Sequence, residues 1–167
     1  CVINGFGLAA TTFISQNYGA GKPERVWQGV KASSLLMIVY WAFTFVVLIT
    51  SAQSLARLFV SASETEILQD TALFLHVSVS FFPVLGLLCI LRYTIQGVGF
   101  TKLAMLSGVS EMIARILVSL LAVPAFGYIA VCFGDPTAWI CADLFLIPAF
   151  WYVYRHLLRM TRRTAAA

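Results

Sequence analysis

The chain has 167 residues, 60% of them apolar, 14% aromatic and only 11% charged, with a mean hydropathy of +0.90. So few charges cannot cover the surface of a water-soluble domain, which excludes most soluble enzymes and binding modules. The net charge of +4 would suit nucleic acid if it formed a patch, but it is spread over a few segment ends, so no nucleic-acid partner is expected.

In chain order, the first segment, residues 1–18, is apolar but dotted with Asn4, Gly5, Gly7, Thr11, Thr12, Ser15 and Gln16. It reads as the inner end of a membrane span cut at its N-terminus. The chain opens on Cys1, with no basic region and no signal peptide, as expected of a fragment. Four uninterrupted apolar stretches come next, near 33–56, 71–95, 103–123 and 137–154. Each is close to the ~20 residues a helix needs to cross ~30 Å of hydrocarbon. Backbone groups in lipid must pair internally, and the strict alternation of a membrane barrel is missing. The expectation is an all-α polytopic membrane protein with five transmembrane helices and a basic tail over 159–167.

Between the first two segments runs Gln16-Asn17-Tyr18-Gly19-Ala20-Gly21-Lys22-Pro23-Glu24-Arg25, a basic, glycine-rich turn. Pro23 and Glu24 suit a helix start, and the residues after them form either a short interfacial helix or the early part of the next span. This connection carries Lys22, Arg25 and Lys31; the next, Ser61–Asp70, carries Glu64, Glu66 and Asp70 with Arg57 nearby. The third has Lys102, with Arg92 one turn inside the preceding helix. The fourth, Gly127–Pro136, has Asp135, and the tail carries Arg155, Arg159, Arg162 and Arg163. Basic ends alternate with acidic ones, so the first and third turns and the C-terminus are expected in the cytoplasm, with the lipid bilayer as the main partner.

Polar groups at membrane depth are the candidate working parts. Glu111 and Arg115 are four apart, on one helix face, and can pair; they either line a translocation path or lock helix to helix. Asp143 sits alone in the last span, able to carry a proton or to hydrogen-bond a neighbour. Arg92, Tyr93 and Gln96 close the third span, where Arg92 can anchor at the headgroups. His76 reads as packed or solvated. Asn4 and Gln16, with Thr12 and Ser15, either line a cavity or bond between helices, and the small residues beside them favour close packing. The four cysteines have no metal-site spacing and read as buried hydrophobes. Trp139 and Trp151 fall near opposite ends of the last span. Gly19-Ala20-Gly21-Lys22 fails as a phosphate loop, because the glycine six before the lysine is Gln16 and the residue after it is Pro23. Without ATP-binding or catalytic groupings, no enzyme and no organic cofactor are expected.

The turn at Gln16–Arg25 resembles the segment after the second helix of a lobe in multidrug and toxic compound extrusion (MATE) transporters. Gln96-Gly97-Val98-Gly99-Phe100-Thr101-Lys102 resembles the family's later cytoplasmic turn, and Glu111 and Arg115 fall where the following helix often carries polar residues. The resemblance implies twelve helices in two six-helix lobes, this chain being the second lobe without its first helix. It implies export of amphipathic or cationic drugs in exchange for Na⁺ or H⁺ from a bacterial inner (plasma) membrane, with the other lobe as partner. It also implies that Gly19, Gly21, Lys22, Arg25, Arg92, Gln96 and Gly97 belong to gating or cytoplasmic-turn elements. One branch of the family carries a coupling Asp in the helix before the second turn; Pro83-Val84-Leu85-Gly86-Leu87 has no carboxylate. The coupling-ion site is thus expected outside this chain. The alternatives are a lipid or oligosaccharide-lipid flippase of the same superfamily, and a non-transporting membrane anchor or assembly subunit.

Overall fold

A computed structural model describes residues 2–57 and 64–165; of Val2, Gln53 and residues 160–165 it describes the backbone only. Cys1, Ser61 and the side chains of Arg162 and Arg163 lie outside the described residues. Among these residues there is no strand. The chain forms α1 (Val2–Gly19), α2 (Pro23–Ala56), α3 (Thr65–Ser80), α4 (Phe82–Gly97), α5 (Thr101–Leu117), a π-helical turn (Val118–Ala122), α6 (Val123–Phe126) and α7 (Tyr128–Ala165). These make five helical columns: α1, α2, α3–α4, α5–α6 and α7.

Three are long and apolar enough to cross a bilayer, Pro23–Ala52, Thr101–Phe126 and Tyr128–Arg159, and the bent α3–α4 pair counts as a fourth. The first column falls short because Asn4, Thr11, Thr12, Ser15 and Gln16 dilute it. The outer surface is more apolar than water tolerates: Phe43, Met105, Leu120, Leu121 and Phe126 all point outward at two-thirds exposure or more. The chain is therefore an all-α polytopic membrane protein.

Column ends depart from the expected 33–56, 71–95, 103–123 and 137–154 in ways that trace to proline and glycine. The second column starts at Pro23, so no separate interfacial helix exists; Pro23 takes the first helical position, where its missing N–H costs nothing. The third is not one helix. It bends by 49° between Ser80 and Phe82, because Pro83 has no proton for the Val79 carbonyl and its ring crowds that turn. Trp41 of α2 adds a side-chain donor there, its indole Nε1–H reaching the Val79 carbonyl at 2.8 Å, beside a backbone N–H of the bend. In the fourth column the π turn ends two residues before Pro124, which likewise cannot serve the carbonyl four residues back, that of Leu120 within the turn, so the ladder shifts register. The expected connection Gly127–Pro136 shrinks to Gly127, whose φ of 60° and ψ of −137° favour glycine. Pro136 is buried inside α7, and Trp139 packs on Phe82 instead of sitting at an interface.

Two turns are the same motif. After α1, the Gly21 amide bonds the Tyr18 carbonyl and the Lys22 amide the Asn17 carbonyl; after α4, the Gly99 amide bonds Gln96 and the Phe100 amide bonds Ile95. Both are Schellman caps, with the left-handed residue Gly21 (φ +67°) or Gly99 (φ +99°). Both lie at one end of the molecule, together with the last turns of α7: Phe100 meets His156 edge-on at 5.7 Å. Beside them Trp27 of α2 packs on Phe150 and Tyr154 of α7 at 6.0 and 5.5 Å. At the opposite end the Tyr128 hydroxyl donates to the Asp70 carbonyl at 3.1 Å.

Helix α4 is the axis. It touches α1, α2, α3, α5 and α7, and its Leu88, Cys89, Ile90, Leu91 and Ile95 are buried with Ile14, Val26 and Leu146 from its neighbours. Small residues allow the approach: Gly7 faces the Tyr93 ring and Gly86 faces Met37.

Candidate functional site

The charged residues at membrane depth meet where α4, α5 and α7 pack together. Arg92 projects from α4; its Nε–H donates to the buried Ser107 hydroxyl at 3.0 Å, and its Nη2 to Glu111 Oε1. Glu111, on α5, is only 12% exposed at its side chain and lies 3.6 Å from Arg115 Nη2 through its other oxygen. Arg115 continues the chain, its Nε–H donating to Asp135 Oδ1 of α7 at 2.9 Å. The order Arg92–Glu111–Arg115–Asp135 alternates in sign and sums to zero, which is what burial of charge in a low-dielectric setting requires.

The expected Glu111–Arg115 pair is present, but Glu111 also holds Arg92, which is committed to α5 instead of snorkelling to the headgroups. Ser107 lies four residues before Glu111, on the same face as Glu111 and Arg115, so helical periodicity held the signal for it. Asp135 is hidden in the sequence because Gly134-Asp135-Pro136 imitates a turn, whereas the structure carries it on the early part of α7.

Asp143 is separate from this chain of pairs. It is 6% exposed, and both carboxylate oxygens are buried with no hydrogen-bond partner. Arg92 and Glu111 lie within electrostatic reach of it. His76 has a buried, unpartnered Nε2.

The polar residues of α1 divide between two faces. Thr11 and Ser15 bond across to α4, Thr11 Oγ1 to the Tyr93 carbonyl at 3.2 Å and Ser15 Oγ to the Gly97 carbonyl at 2.9 Å. Gly97 has no room for a side chain there, since a Cβ would meet the Thr11 carbonyl at 3.1 Å. Asn4, Thr12 and Gln16 lie on the uncovered face, spaced by multiples of four. At the turns, Gly19, Gly21, Lys22 and Arg25 are exposed and Gln96 is half-buried. The structure thus gathers Arg92, Glu111, Arg115 and Asp143 into one region and leaves Asn4, Gln16 and the first turn apart from it.

Cys89 and Cys132 are buried and Cys141 half-buried, all as free thiols. No three described His, Cys, Asp or Glu side chains gather as metal ligands.

The model of the MatE family matches residues 1–139. This chain belongs to the MatE family. No curated protein and no solved structure matches it. MatE members are membrane transporters, not enzymes, which gives the coarse assignment: a membrane efflux transporter or flippase of the MATE superfamily. The match covers both Schellman turns, the Arg92–Glu111–Arg115 chain and Asp135.

Proposed function

We propose that this MatE chain forms part of a secondary-active exporter of small amphipathic or cationic solutes, exchanged for Na⁺ or H⁺ by alternating access. The observation that carries the proposal is the uncovered polar face of α1, with Asn4, Thr12 and Gln16. The Thr12 hydroxyl is satisfied by the Leu8 carbonyl of its own helix, but lipid cannot satisfy the Asn4 and Gln16 amides, so these face water or another protein surface, and a solute path between two lobes provides both. In this scheme Asn4 and Gln16 line the path, and Glu111 and Arg115 stand beside it. The Gly21 and Gly99 turns and the C-terminus lie in the cytoplasm of a bacterial cell, because Lys22, Arg25, Lys102, Arg155 and Arg159 crowd that end. The partners are the bilayer and a second lobe, and the principal coupling acid belongs to that lobe.

The natural protein in proteoliposomes, loaded with a fluorescent cation, tests this. An imposed ΔpH or ΔNa⁺ is expected to drive dye movement, and Gln16→Leu to slow it at least about tenfold without loss of protein. Movement indifferent to both gradients sinks the antiport claim. A lipid or oligosaccharide-lipid flippase is the second reading, favoured by an open recess of about 670 Å³ lined by Trp151, Tyr152, Arg155, His156 and Arg159, which suits an anionic headgroup.

A further inference from the structure

Asp143 is unlike every other carboxylate of the chain. It is buried on α7 at membrane depth, with neither oxygen hydrogen-bonded. Left ionised and alone, a carboxylate in such surroundings is strongly disfavoured. A bound cation removes that cost. A hard metal cation requires a shell of oxygens, and among the described residues no three His, Cys, Asp or Glu side chains gather to supply one. The proton needs only the one carboxylate.

The groups around it show how the proton could leave. The charges acting on Asp143 are Arg92 of α4 and Glu111 of α5, with the Cys89 thiol of α4 the next titratable neighbour. Helices α2 and α3 also touch α7; their charged residues Glu24, Arg25, Lys31, Glu66 and Asp70 lie toward helix ends, and their other titratable side chains are Tyr40 and His76. Arg92 is a fork of five donors, and side chains engage only its Nε and Nη2. One guanidinium thus acts on two carboxylates and pairs with one of them.

We propose that Asp143 is a proton-binding site whose occupancy decides which carboxylate Arg92 serves. With the proton on, Asp143 is neutral and Arg92 rests on Glu111 and Ser107, the arrangement seen. With the proton released to water, the Asp143 carboxylate draws the guanidinium toward α7. No bond other than O–H is made or broken. The proposal deepens the exporter function and rests on it only for the membrane setting, since it places a second titrating acid in this chain.

Infrared difference spectra of the natural protein in nanodiscs read the proton directly. A protonated-carboxyl band is expected in the wild type, lost in Asp143→Asn, fading as pH rises and unchanged when choline replaces Na⁺. Identical wild-type and Asp143→Asn spectra across the pH range overturn the site; loss of the band on adding Na⁺ at fixed pH overturns its assignment to the proton. The exchange is read by nitrogen NMR of the arginine Nε, assigned through Arg92→Lys. The Arg92 signal is expected to move over the interval in which the band fades and to stay fixed in Asp143→Asn; a fixed signal in the wild type overturns the exchange. Should Asp143→Asn not purify, Asp143→Ser serves the same subtraction. Solute movement is a separate readout. A protein that titrates at Asp143 yet moves nothing keeps this proposal and loses the exporter function, and one that exports without titrating does the reverse.

Discussion

Glu111 stands between two arginines at single-residue resolution, so removing its charge acts on both. Glu111→Gln leaves Arg92 and Arg115 without their shared anion, although the amide oxygen still accepts one hydrogen bond. The expected loss of stability is on the order of 2–3 kcal/mol, at or below the low end for breaking a buried pair, read as a lowered Tm of the purified protein. Unchanged Tm with lost solute movement would instead put Glu111 on the path. Gly99 is the second sensitive residue. Its φ of +99° is hostile to a Cβ, so Gly99→Ala is expected to cost about 1–2 kcal/mol even though open space surrounds it. Denaturant titration checks this, and a neutral result would show that the cap relaxes. At this scale the sequence was informative: the spacing of Glu111 and Arg115 gives their pairing, and the glycines give the turns. Arg92 as the partner of Glu111 was not legible. The two lie on different helices, and no local pattern says which way a long side chain turns.

Among the elements, two prolines carry the lesson about what a sequence can show. Pro83 hides in a continuous apolar run and yet bends the column, whereas Pro136, flanked by Gly134 and Asp135, imitates a turn and lies inside a helix. The local chemistry is the same: one lost donor and one crowded carbonyl. What differs is tertiary, since in a membrane helix the neighbours decide whether a freed carbonyl is satisfied in place. For Pro83 the neighbour is Trp41, thirty-eight residues away from the carbonyl it serves. Trp41→Phe keeps the ring and removes the N–H. It is expected to cost about 0.5–1.5 kcal/mol through the lost hydrogen bond, where Phe45→Leu, a ring neighbour of Trp41 without that bond, costs less. Equal Tm losses for the two would show that packing alone holds the bend.

For the whole molecule, the division of charge between ends is what the proposed orientation rests on. Lys102 and Glu64 are exposed at opposite ends, and labelling is read against the unsubstituted protein, in which Cys89 and Cys132 are buried and Cys141 half-buried. Lys102→Cys is expected to react with an impermeant maleimide only when the cytoplasmic side is opened, and Glu64→Cys on intact cells; the reverse pattern would invert the topology. The five-column plan was legible because long apolar runs need few other assumptions. The central place of α4 was not, because every column is apolar and only contact tells which one is enclosed.

The aromatic packing of Trp27, Phe150 and Tyr154 lies at the same end as both Schellman caps, whereas the far end is joined by the Tyr128–Asp70 bond. The columns are therefore tied at both extremities, by stacked rings at one and by a hydrogen bond and the packing of α3 on α2 and α7 at the other. Any tilt that widens the far rim must first break the Tyr128–Asp70 bond, so that single hydroxyl acts as a latch.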